Sequence, residues 1–163
     1  MNLPDCIGKT TGRGVIHVQR GAVSRFAQGV TDGNPVYHDA SAAADAGFDA
    51  PVVPPTWTFA AGFQGAYLEE QPDMSDAADT ISLASIIAEL MKDGGIILHG
   101  EQAFDYHQSV MCGDVLHFEG KITDIYSRES KGKVMTFVVT QTQYKSEAGE
   151  PLVTETFNLI HRA

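Results

Sequence analysis

The period of the apolar positions changes near residue 95. Before it, Val23, Phe26, Ala27 and Val30 recur every three or four residues, which predicts a short amphipathic helix over 22–30. Asp32-Gly33 and Asn34-Pro35 are turn dipeptides that end it. Asp39 or Ser41 can cap a second short helix through Ala46, with Gly47 at its end. Pro51, Pro54 and Pro55 frame an extended segment, and Thr56 is placed to cap a helix over 57–68. Trp57, Phe59, Ala60, Ala61, Phe63, Ala66, Tyr67 and Leu68 make that segment apolar on nearly every side, the mark of a buried helix. A further helix over 82–93 carries Ile86, Ile87, Leu90 and Met91 on one side and stops at Gly94-Gly95.

After Gly95 the pattern becomes strand-like. Runs rich in Val, Ile, Phe, Thr and Tyr lie at 96–108, 114–126, 133–145 and 152–161, separated by turns such as Cys112-Gly113-Asp114 and Lys131-Gly132-Lys133. A short strand at 15–18 precedes the helices, and residues 1–13 read as an irregular lead-in. Helices followed by a strand meander predict an α+β fold, in which one face of the sheet needs an apolar cover. The segment 57–68 is the best cover in the chain.

Composition narrows the classes. A chain of 163 residues with 43% hydrophobic and 20% charged content is expected to be one soluble globular domain spanning 1–163. Its formal net charge of −10 argues against nucleic acid or an anionic membrane surface as the main partner. Glu69, Glu70, Asp73, Asp76 and Asp79 crowd a stretch without a basic residue, read as a solvated loop. Two cysteines make no disulfide framework, and neither a signal peptide nor a membrane-length apolar run is seen, so a cytoplasmic protein is expected. No His/Cys/Asp spacing suits a metal site, and no Gly-rich phosphate loop or nucleophile elbow is present. No cofactor is expected.

The run Asp32-Gly33-Asn34-Pro35-Val36-Tyr37 resembles the active-site segment of the MaoC-like, R-specific enoyl-thioester hydratases and dehydratases, which read Asp-x-Asn-Pro-x-His. Tyr37 stands where the family has His. Other segments resemble the N-terminal, dehydratase-like domains of that family: Val18-Gln19-Arg20-Gly21-Ala22-Val23, Pro54-Pro55-Thr56-Trp57 before the central helix, Leu98-His99-Gly100-Glu101-Gln102, and Gly113-Asp114. The resemblance runs from about residue 7 to 162. It implies a hot-dog fold, an antiparallel sheet wrapped around a long central helix. It also implies an acyl-thioester substrate on coenzyme A or acyl carrier protein, and a homodimer or a heterodimer with a sister hot-dog chain.

Hydration of an enoyl thioester needs a base for water, an acid for the α-carbon, and dipoles that polarise the carbonyl. By the resemblance, Asp32 is the surviving acid/base candidate, although a turn carboxylate explains it equally well. Asn34 fixes the loop or bonds the thioester. Tyr37 is a poor base, since a phenol ionises near pH ~10, but it can donate a hydrogen bond. His38 is the neighbour that could stand in for the missing His. Pro55, Thr56 and Trp57 mark the start of the central helix, where backbone N–H groups serve the carbonyl in the family. His99 is a substrate-side or structural histidine, and Met91 either lines an acyl tunnel or packs as core. Two functions follow: a hydratase/dehydratase interconverting trans-2-enoyl and (R)-3-hydroxyacyl thioesters, or a non-catalytic subunit that binds the acyl chain and completes a partner's site. A hot-dog thioesterase is disfavoured, because 57–68 carries no carboxylate before Glu69.

Overall fold

The computed structural model describes residues 1–64, 66–74, 78–130 and 132–163. Five strands, β1 Thr10–His17, β2 Ile96–Tyr106, β3 Val115–Ser130, β4 Lys133–Lys145 and β5 Pro151–Arg162, form one antiparallel sheet in the order β1-β3-β4-β5-β2. Strand alternation decides its faces. On β5 the inward row is Val153, Glu155, Phe157, Leu159 and His161, of which all but the half-buried Phe157 are buried. A carboxylate and an imidazole thus sit inside, in a row that is otherwise apolar.

Among the described residues the helices are α1 Arg20–Gly29, α2 Ala40–Asp45, α3 Trp57–Ala61 and α4 Leu83–Leu90, of which α1, α3 and α4 cover the inner face. Trp57 and Ala61 of α3 pack with Val23 of α1 and with Leu116, Tyr144 and Val153 of the sheet. A second cluster joins Ile86 and Leu90 of α4 to Ile122, Val138 and Leu159. The α+β, hot-dog architecture is therefore present, but its cover is divided between α1, α3 and α4.

The central helix is where the sequence pattern misleads. Instead of 57–68 it spans Trp57–Ala61, with Gly62 as its C-cap, and Leu68–Glu70 form a separate 3-10 turn. Glycine inside a helix costs about 1 kcal/mol relative to alanine, and Gly62 falls directly after the turn whose Trp57 and Ala61 meet the sheet. Phe63 and Leu68 are 81% and 83% exposed, so an apolar composition there does not mark burial. Residue 65 of this stretch, residues 75–77 of the acidic loop and the turn residue Lys131 lie outside the described residues. Thr56 does not cap α3 with its side chain. It takes a left-handed conformation at φ 70°.

The lead-in is more ordered than its composition suggests. Leu3–Cys6 form a 3-10 turn, and β1 begins at Thr10 instead of 15. Gly12 and Gly14 interrupt the apolar alternation and conceal the strand. Gly14 is needed for close approach, since a Cβ there would lie 2.8 Å from the Phe118 ring. Among the described residues no helix is long and apolar enough to cross a membrane.

Candidate functional site

The loop after α1 is built from its own polar side chains. Thr31 turns the chain through a left-handed conformation at φ 57°. The Asp32 carboxylate accepts the Asn34 N–H at 3.0 Å, and the Asn34 side-chain oxygen accepts the Val36 N–H at 3.2 Å. Two such turns in succession, followed by Pro35 at the start of a 3-10 turn over Pro35–Tyr37, fix the segment. Asp32 and Asn34 therefore hold the loop, whatever else they do.

Tyr37 is delivered by this turn into a small core with Ala27 and Val52 and is 9% exposed. Burial, and then the nearby Asp32 charge, push its phenol above the ordinary tyrosine value. It remains a protonated donor across the neutral range and is no base. His38 points back toward α1: Nδ1 bonds the Ser24 hydroxyl at 2.9 Å and Nε2 faces the Asp32 carbonyl at 3.4 Å.

A cavity of about 530 Å³ opens beside Tyr37. Asn34, Tyr37 and Pro55 line it with Tyr106, His107, Gln108 and Ser109, against an apolar wall that includes Val36, Phe48 and Val110. Three residues singled out from the sequence thus meet here. Asp32 and His38 do not line this cavity, and neither do Thr56, Trp57, Met91 or His99. Trp57 is fully buried in the core. His99 packs edge-on to Phe59 and tilted against Phe157, with ring centroids 5.8 and 4.6 Å away. Met91 is 37% exposed, at the turn after α4. A larger cavity, about 660 Å³, lies between β1, α1 and the segment bearing Ala61, Phe63 and Tyr67, but it contains none of the loop residues. Position beside the motif loop outweighs size, and the smaller cavity is the candidate site.

Sequence reasoning missed Tyr106. Its hydroxyl accepts the Thr56 N–H at 3.1 Å, tying the end of β2 to the start of α3. The strand run Phe104-Asp105-Tyr106-His107 held the signal, but strand aromatics are usually core. It also missed a buried network beneath α3. Gln102 donates to Glu155 at 2.9 Å, and the Tyr144 hydroxyl lies 3.1 Å from Glu155 and 3.2 Å from the Thr58 carbonyl. One phenolic proton serves only one of those two acceptors. A protonated Glu155 donating to Tyr144, which donates to Thr58, satisfies both contacts. Burial likewise raises the Glu155 carboxyl above its ordinary value.

An antiparallel sheet closed over a short helix, with an Asp-x-Asn-Pro loop beside that helix's start, defines a dehydratase-type hot-dog domain. The chain belongs to the family described as FAS1-like, dehydratase domain region, whose model matches residues 5–155. A UPF0336 protein of Streptomyces avermitilis is 32% identical over 146 residues, covering 90% of this chain and 85% of that protein. In fold the chain is similar to the 3R-hydroxyacyl-ACP dehydratase complex HadBC of Mycobacterium tuberculosis, at TM-score 0.67 and 21% identity over 96% of this chain and 97% of that one. It is also similar to the ChsH1–ChsH2 complex of the same organism, at TM-score 0.74 and 17% identity over 93% of this chain and 83% of that one.

Proposed function

We propose that this chain is the acyl-thioester-binding subunit of an R-specific enoyl-thioester hydratase/dehydratase, with a sister hot-dog chain carrying the complete Asp/His pair. The observation that carries the reading is Tyr37. A buried phenol with a raised pKa stands where the family's histidine would take a proton from water. The cavity beside it offers hydrogen-bond donors and an apolar wall, which suits a thioester head and an acyl tail.

The substrate is an enoyl or 3-hydroxyacyl group on coenzyme A or acyl carrier protein, in fatty-acid or related acyl metabolism. The chain needs no cofactor of its own. Its part in the reaction is to bind the acyl group and orient the carbonyl, while the partner's residues move the protons. The retained Asp32 favours a second reading, a hydratase active by itself. Its carboxylate is engaged by the Asn34 N–H and lies off the cavity, so that reading ranks second.

Equilibrium binding tests the reading. The purified chain is expected to bind crotonyl-CoA more tightly than free coenzyme A, since the acyl group adds buried apolar area and a carbonyl bond. Equal affinity for the two ligands would contradict an acyl-binding site.

A further inference from the structure

The polar groups around the 530 Å³ cavity have unequal freedom. His107 Nε2 is engaged with the Thr154 hydroxyl at 2.9 Å. The Asn34 side-chain oxygen is used by the Val36 N–H. The Tyr106 oxygen accepts the Thr56 N–H, which leaves its own proton to donate, and no acceptor for it is found among the described residues. Tyr106 is 52% exposed, so a ligand can reach that proton.

Two further features make this hydroxyl a good donor. A bond accepted by a phenolic oxygen polarises its O–H, so the Thr56 N–H strengthens what Tyr106 gives. Thr56 also holds a left-handed conformation that costs a non-glycine residue ~1–2 kcal/mol, and strain of this kind gathers at binding sites. The left-handed turn is what the chain adopts where the Thr56 N–H meets the phenol.

We propose that Tyr106 binds the carbonyl oxygen of the ligand in this cavity and transmits to it the pull of the Thr56 N–H. A ligand with a hydrogen-bond-accepting carbonyl beside an apolar chain is the class it takes. The proposal rests on the acyl-thioester reading above and names the residue that grips the carbonyl. No residue of the Asp-x-Asn-Pro loop has this role. Tyr37 lines the same cavity with a second protonated hydroxyl, but it is packed in a core cluster and its oxygen receives no backbone donor among the described residues.

The test compares two ligands and two proteins. Crotonyl-CoA is set against its thioether analogue, in which a methylene replaces the carbonyl, by calorimetry on the whole chain and on Tyr106→Phe. The chain is expected to prefer the thioester by roughly 10-fold, the scale of one net hydrogen bond. Tyr106→Phe is expected to erase that preference while binding of the thioether stays nearly unchanged. Equal weakening for both ligands would assign Tyr106 a purely structural role and overturn the proposal, as would a preference that survives the substitution. If the unaltered chain binds neither ligand, the acyl-thioester reading falls and the proposal with it. The first two outcomes leave that reading standing, so the failures are distinguishable.

Discussion

At the scale of single residues, Tyr37 and Glu155 show how position remakes chemistry. Tyr37 is legible in the sequence as a departure from a motif, but its burial is not, because the contacts come from Val52 and Phe48 elsewhere in the chain. Glu155 was not legible at all. It sits in a strand whose inward positions otherwise read as ordinary alternation, and only the sheet register brings Gln102 and Tyr144 to it. Its folded-state pKa is raised above the unfolded value, so the folded chain holds this proton more tightly. That contribution to stability is complete below the unfolded pKa and is lost as pH rises through the folded one. The melting temperature is therefore expected to fall with rising pH above about 4.5 through this group, and Glu155→Gln is expected to flatten that part of the profile. A variant profile parallel to the parent's would show that Glu155 is not the titrating group.

At the scale of elements, the strands after residue 95 and the helices at 22–30 and 82–93 were legible because their apolar periods match their packing. β1 was obscured by Gly12 and Gly14, the second of which is there for close approach to Phe118. The helix expected over 57–68 stops at Ala61, since composition does not reveal which apolar residues find the sheet. Packing of β2 on β5 depends on another glycine. The register shifts between His99 and Gln102, and a Cβ on Gly100 would lie 2.7 Å from the Ile160 side chain and 2.8 Å from the Asn158 carbonyl. Gly100→Ala is expected to cost ~1–3 kcal/mol by overpacking. Denaturant unfolding checks this, and an unchanged midpoint would mean that the two strands separate without cost.

At the scale of the whole molecule, the sheet has two edges, β1 and β2. On β1 the Gln71 side chain bonds the Val15 N–H and carbonyl at 3.0 and 3.1 Å and so occupies part of the edge. β2 pairs only with β5, and its Ile96 and Leu98 are 41% and 39% exposed. An uncovered edge strand is a template for pairing with another chain. Light scattering at micromolar concentration is expected to give a dimer, alone or with a sister chain. Substituting a proline at Leu98 is expected to weaken it. A monomer that stays monomeric when a sister hot-dog subunit is added would contradict the shared-site assembly. The expectation of a partner chain comes from family resemblance, because nothing in one chain's periodicity identifies which edge would seek a partner.

As proposed, this chain holds an acyl thioester without the base needed to hydrate it. The most direct measurement is the rate of loss of enoyl absorbance when the purified chain alone is given saturating crotonyl-CoA, with bound ligand quantified in the same sample. Occupancy of the site with no hydration above the buffer rate is expected, because Tyr37 stays protonated and Asp32 is turned to the Asn34 N–H. Turnover at ~1 s⁻¹ or faster, within the ordinary range of enzymes, that falls ~100-fold in Asp32→Asn would contradict it and make the chain a hydratase in its own right.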